Sequence, residues 1–130
     1  MQALLIPVAG DWYALELRCV REVLARPEPA PLPGAPPAVR GLINLRGTIV
    51  PLLDTAVLLG LGPMAAPYAA VAETAGGPAA LTASGMPATA RLEDLAGPAE
   101  LPGAIARFAT DGGGVATLLD VEALMEALRA

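Results

Sequence analysis

All eight basic residues of this 130-residue chain are arginine; lysine and histidine are absent, and cysteine occurs once, as Cys19. Without imidazoles or paired thiols the chain lacks the usual ligands for zinc, copper or haem, and it cannot close an internal disulfide. The chemistry that remains belongs to carboxylates and guanidinium groups. Two arginines lie inside the most hydrophobic run, Arg40-Gly-Leu-Ile-Asn-Leu-Arg46; Gly47 follows, and apolar residues resume at Ile49, Val50, Leu52 and Leu53. Glu22 is lodged in the same way between Val20, Val23 and Leu24. Two readings of Arg46 are open. It occupies a solvent-facing Arg-Gly turn, or it pairs with Glu22, since each charge is costly to bury alone and together they satisfy one another in bidentate geometry. Arg40 is expected to be a solvated strand-edge residue. Asn44 fits either a turn-satisfying side chain or an interface donor.

The elements that must position these residues are mostly strands. Ala3 to Val8 reads as a strand, and past Asp11 the alternation of Tyr13, Leu15 and Leu17 with Trp12, Ala14 and Glu16 gives a half-buried second strand. Val20 to Leu24 continues the pattern, with Cys19 expected as an inert core residue. Prolines at 27, 29, 31, 33, 36 and 37 exclude regular strand pairing and imply an extended, polyproline-like surface segment. Gly41 to Leu45 and Thr48 to Leu53 read as a hairpin turning at Arg46-Gly47, where glycine supplies positive φ. Asp54 stands where it would cap a helix over Thr55 to Leu59, with Gly60 past its end. Short strands are expected at Tyr68 to Ala72, Ala79 to Ala83, Ala88 to Leu92, Ile105 to Ala109 and Val115 to Leu119. The Asp111-Gly-Gly-Gly114 stretch reads as a hairpin turn rather than a phosphate cradle, because no helix follows it. Asp120 caps a closing helix in which Val121, Leu124, Met125 and Leu128 share one face. The segment from Gly76 to Pro102, dense in Gly and Pro, is expected to be the least stable part.

A content of 55% hydrophobic residues excludes a disordered chain, while 14 Gly and 14 Pro imply many turns. The length suits one domain or two small subdomains sharing a core. A net charge of −5 without a basic block excludes most nucleic-acid binders. The N-terminal apolar run has no basic region before it, and the uncharged window from Thr55 to Ala72 is broken by Gly60, Gly62, Pro63 and Pro67. Neither a signal peptide nor a membrane span is expected, and the chain reads as soluble and cytoplasmic.

Gly41-Leu-Ile-Asn-Leu-Arg-Gly47 followed by Ile49-Val-Pro-Leu-Leu-Asp54 resembles the CheW family of chemotaxis coupling proteins. Trp12-Tyr-Ala-Leu-Glu-Leu17, Val20-Arg-Glu-Val23, Pro31-Leu-Pro33 with Pro36-Pro37, and Thr117-Leu-Leu-Asp120 followed by Leu124 are similar to other family elements in the same order. The resemblance implies an all-β fold of two small SH3-like β-barrel subdomains packed side by side, with short helices including a C-terminal one. It implies one domain over 1–130, with a first barrel near 14–66 and a second from 1–13 plus 67–130. It further implies a non-catalytic adaptor, without cofactor, that joins the cytoplasmic tip of chemoreceptors to the regulatory domain of the histidine kinase CheA. Its partner-binding residues would be Val20, Glu22, Gly41, Asn44, Arg46 and Gly47, with the Glu22–Arg46 pair near the receptor-binding surface. The stretch Ala80 to Ala90 departs from the family, lacking the usual aspartate in a V-D-hydrophobic-V strand end.

Two rivals come from other classes. An SH3-like module in a non-chemotactic signalling complex would read identically. Leu52-Leu-Asp-Thr-Ala56 also resembles the hydrophobic-hydrophobic-D-T-G signature of small dimeric aspartic proteases, in which two carboxylates share a proton. Ala56 replaces the glycine of that tight turn, and a helix beginning at Thr55 is wrong for that loop.

Overall fold

A computed structural model describes residues 1–129 as ten strands and two short helices. β1 (Gln2–Val8) and β2 (Asp11–Glu16) form a hairpin, and the chain then makes a 3₁₀ turn at Leu17–Cys19. β3 (Val20–Ala25) leads through the proline-rich segment to β4 (Val39–Leu45), β5 (Thr48–Leu53) and α1 (Thr55–Leu58). β6 (Tyr68–Thr74) and β7 (Gly77–Ala83) form a second hairpin. β8 (Ala88–Pro98), β9 (Ala104–Thr110), β10 (Val115–Leu119) and α2 (Val121–Arg129) complete the described chain.

The strands form two five-stranded units. β1-β2-β10-β9-β8 closes on itself through β8 and β1, and the other sheet runs β3-β6-β7-β5-β4. The two orders are equivalent when the β1–β2 hairpin is matched to β6–β7, β8 to β3, and β9–β10–α2 to β4–β5–α1. Local detail follows the same repeat. Asp54 N–H donates to the Ala38 carbonyl and Asp120 N–H to the Gly103 carbonyl, both at 2.7 Å. Each aspartate then caps its helix: Asp54 Oδ1 accepts the Val57 N–H at 3.2 Å and Asp120 Oδ1 the Ala123 N–H at 3.1 Å. Each strand before its cap ends in a short parallel pairing, Leu52 with Ala80 and Leu53 with Leu81 in one unit, Thr117 with Tyr13 and Leu118 with Ala14 in the other. The architecture is two SH3-like subdomains side by side.

Side-chain alternation places one core inside each unit and one between them. Ile43, Val50, Leu52, Val71 and Ala80 fill the open sheet; Ala3, Ala14, Leu92, Ala116 and Leu118 fill the closed barrel. The largest cluster joins them, bringing Leu4, Ile6 and Leu15 from the barrel against Leu53 and Leu81 from the sheet and Leu59 at the end of α1, with Leu124 and Met125 of α2. Burying such side chains is the main favourable term in holding the two halves together.

Four sequence expectations need adjusting. Sheet membership departs from a division at residues 14 and 66: β2 through Glu16 belongs to the barrel, and β6–β7 supplies two interior strands to the sheet of β3, β4 and β5. Cys19 lies half-buried in the 3₁₀ turn rather than in a core strand, because the chain bends between the two units there. The proline-rich segment is pinned at one point, where Ala30 exchanges two backbone hydrogen bonds with Leu42 at 2.8 and 2.9 Å. Ala30 is the non-proline residue between Pro29 and Pro31, so it keeps the N–H such a bridge requires. Within Gly76 to Pro102, β7 is an interior strand buried from Ala79 to Ala83.

Candidate partner-binding site

β3 and β4 are the two edge strands of the open sheet, and no ladder joins them. The Glu22–Arg46 pair spans this seam. Arg46 Nη1 donates to Glu22 Oε1 at 3.3 Å, and Arg46 Nη2 donates to Glu22 Oε2 in a second, shorter bond. The fork is bidentate, which fixes the relative direction of the two side chains as a point charge could not. Where the closed barrel joins its equivalent strands β8 and β9 by main-chain pairing, this sheet uses a side-chain ion pair. Hydrogen bonding from Arg46 holds the Glu22 carboxyl below its ordinary pKa; partial burial opposes this, and the charges of Arg46 and Arg21 reinforce it. The same bond holds the Arg46 guanidinium more firmly protonated.

The backbone aims the pair. The two-residue period of β3 places Glu22 on the half-buried face with Val20 and Leu24, and the register against β6 shifts between Val20 and Glu22. Leu45 and Thr48 pair directly, leaving Arg46 and Gly47 as a two-residue hairpin loop with φ of 51° and 89°. Such a loop needs positive φ at both positions, which glycine and asparagine adopt far more readily than arginine. Arginine at this site therefore has a reason beyond turn chemistry. Asn44 Oδ1 accepts the Gly47 N–H at 2.8 Å and braces the loop, so the turn-satisfying reading of Asn44 is the one realised.

Gly41 and Val20 are supports. Gly41 has φ of 148° at a bulge in β4, and a Cβ there would run into the Ala30 carbonyl oxygen and the Pro29 side chain. Only glycine lets the proline-rich segment lie against β4. Val20 opens β3, donates its N–H to the Leu17 carbonyl and packs against the central core. Among the six residues expected at the site, Glu22, Asn44, Arg46 and Gly47 come together at the seam, while Gly41 and Val20 hold strands in place behind it.

Arg40 is the correction at this end of the molecule. Rather than a solvated edge residue, it donates from Nε and Nη2 to Asp54 Oδ2 at 3.2 and 2.8 Å, and Nη2 also donates to the Met64 carbonyl. Asp54 is buried, with Oδ1 engaged in the α1 cap and Oδ2 in the ion pair. The signal was present in the sequence: counting back from the tight turn at 46–47 brings Arg40 beside the end of β5. That geometry gives Asp54 a guanidinium partner, unlike the shared-proton carboxylate pair an aspartic protease requires.

The Glu22–Arg46 pair is thus the charge presented at the seam, while Asp54 is buried and held within the fold. Comparison with known families gives it a context: the CheW-like domain family matches residues 2–129. The chain belongs to the CheW-like family. A curated relative, the chemotaxis protein CheW of Rhizobium meliloti (strain 1021), is 37% identical over 54 residues, which is 42% of this chain and 35% of that protein. The match thus spans about a third of that relative's length. Among solved structures, the crystal structure of the scaffolding protein TtCheW from Thermoanaerobacter tengcongensis superposes with a TM-score of 0.79 at 21% identity, over 96% of this chain and 92% of that one. At that identity the likeness speaks to the CheW-like fold. No helix among the described residues is long and apolar enough to cross a membrane.

Proposed function

We propose that this CheW-like chain is a non-catalytic, cytoplasmic adaptor of a bacterial chemotaxis system, coupling the cytoplasmic tips of chemoreceptors to the regulatory domain of a CheA-type histidine kinase. The observation that carries the reading is the family match across nearly the whole described chain. The seam supports it from below. Arg46 keeps 67% of its side chain exposed although it is paired, while Glu22 keeps 27%. Its remaining N–H donors are therefore free to meet carbonyls or carboxylates on a partner surface. In this reading Glu22 and Arg46 contact the partner, Asn44 and Gly47 fix the loop, and Gly41 and Val20 hold the strands that carry them.

The test is a pull-down of soluble receptor-tip fragments and, separately, of the kinase regulatory domain by the purified chain. Saturable capture of both is expected. Capture of neither, by a chain whose circular dichroism shows it folded, would overturn the proposal.

A further inference from the structure

β4 ends the strand order of the open sheet, so no strand is paired on its outer edge. Pro51, opposite Leu42 on β5, has no N–H, and Leu42 turns its own main-chain groups outward, where Ala30 bonds them at 2.8 and 2.9 Å. Asn44, two residues on, turns its N–H and carbonyl to the same edge. There no main-chain partner meets them among the described residues. The Ala30–Leu42 bridge is antiparallel, so its continuation sets Glu28 opposite Asn44.

The prolines permit that continuation. Successive N–H groups of an extended strand point to opposite edges. With the Ala30 N–H directed at β4, those of Glu28 and Leu32 share its edge, and positions 27, 29, 31 and 33, all proline, belong to the other. The spacing removes donors from the far edge alone, which is how natural edge strands are blunted; a polyproline helix, with three residues per turn, has no use for a period of two. The closed barrel displays the completed form. There β8 leaves β1 at Arg91 and continues onto β9, pairing Leu92 with Thr110 and Leu95 with Phe108. In the open sheet β3 leaves β6 at Ala25, and Arg26 N–H donates to the Pro67 carbonyl at 2.6 Å, just as Leu92 N–H donates to the Met1 carbonyl at 2.8 Å. Residues 26–33 thus stand where the second half of β8 stands in the barrel.

We propose that residues 26–33 form a closing strap with a second, zipped state, in which Glu28 exchanges both main-chain hydrogen bonds with Asn44 and the open sheet closes as its counterpart does. Zipping sets Glu28 diagonally across from Arg46, within reach of a long side chain. Its carboxylate then occupies guanidinium donors that the open state leaves for a partner, which makes the strap an autoinhibitory contact. That last step alone rests on the coupling role proposed above.

The test traps the zipped state in the full chain. In a Cys19→Ser background, Glu28→Cys with Asn44→Cys is exposed to oxidised glutathione beside Pro27→Cys with Asn44→Cys, a pairing one residue out of register. A disulfide needs the two Cα atoms within about 7 Å, so cross-linking within the monomer is expected at 28/44 and several-fold less at 27/44. Equal yields at both would mean a loose segment, and no cross-link at 28/44 would mean no zipped state; either overturns the proposal. Glu28→Gln, in the otherwise unaltered chain, should strengthen capture of receptor-tip fragments several-fold, and unchanged capture would overturn the autoinhibitory contact. The cross-link requires no partner, so a chain that captures no fragment fails the coupling role while the strap is still decided by the two yields.

Discussion

Arg46 holds a left-handed backbone conformation, φ 51°, in a loop where asparagine would be more comfortable. Arg46→Asn should therefore leave the midpoint of urea unfolding unchanged or raised while weakening receptor-tip capture. Arg46→Lys, which keeps the charge and loses the fork, should weaken capture as well. A double-mutant cycle between Glu22→Ala and Arg46→Ala, read on binding, should be non-additive; simple additivity would return Arg46 to the role of a turn residue. Of these contacts the Glu22–Arg46 pair was legible as two charges embedded in apolar runs, though burial was not: the pair lies across an exposed seam. Arg40 reads as solvated in the sequence because its partners are set by tertiary position: the Met64 carbonyl reaches it only once the loop after α1 folds back.

At the scale of elements, the β4–β5–α1 unit depends on Asp54, which caps the helix with one oxygen and holds Arg40 with the other. Asp54→Asn keeps a capping side chain and loses the ion pair; Asp54→Ala loses both. The alanine variant should be less stable than the asparagine variant by about 1 kcal/mol, measured by denaturant unfolding. Equal stabilities would mean the cap contributes nothing. The hairpins and caps could be read from sequence because turn residues and capping aspartates have local causes. The strands between 68 and 98 were fainter, since Ala-rich strands carry little hydrophobic contrast from one face to the other. Their burial comes from tertiary position: β7 is flanked by β5 and β6, whereas β8 past Leu92 is mostly exposed and twice irregular against β9. Amide exchange should accordingly be slow from Ala79 to Ala83 and fast from Glu93 to Pro102. Uniform exchange across both stretches would contradict this packing.

For the whole molecule, the largest core cluster draws side chains from both five-stranded units and from α2. Neither unit can open without exposing Leu15 or Leu81 and their neighbours, so thermal unfolding should be one cooperative transition by calorimetry and by circular dichroism alike. Two separated transitions would show that each unit is stable alone. This interlaced arrangement was not legible in local pattern, because the hairpin β1–β2 is completed by strands that begin at residue 88. A rigid pair of units offers surfaces at fixed distance and angle, which is what an adaptor requires of its fold. The most direct measurement saturates the chain with soluble receptor-tip fragment, adds the kinase regulatory domain, and follows the mass of the complex by sedimentation velocity. A single species containing all three components is the expected result. Displacement of the receptor fragment by the kinase domain, each binding only alone, would contradict the coupling role.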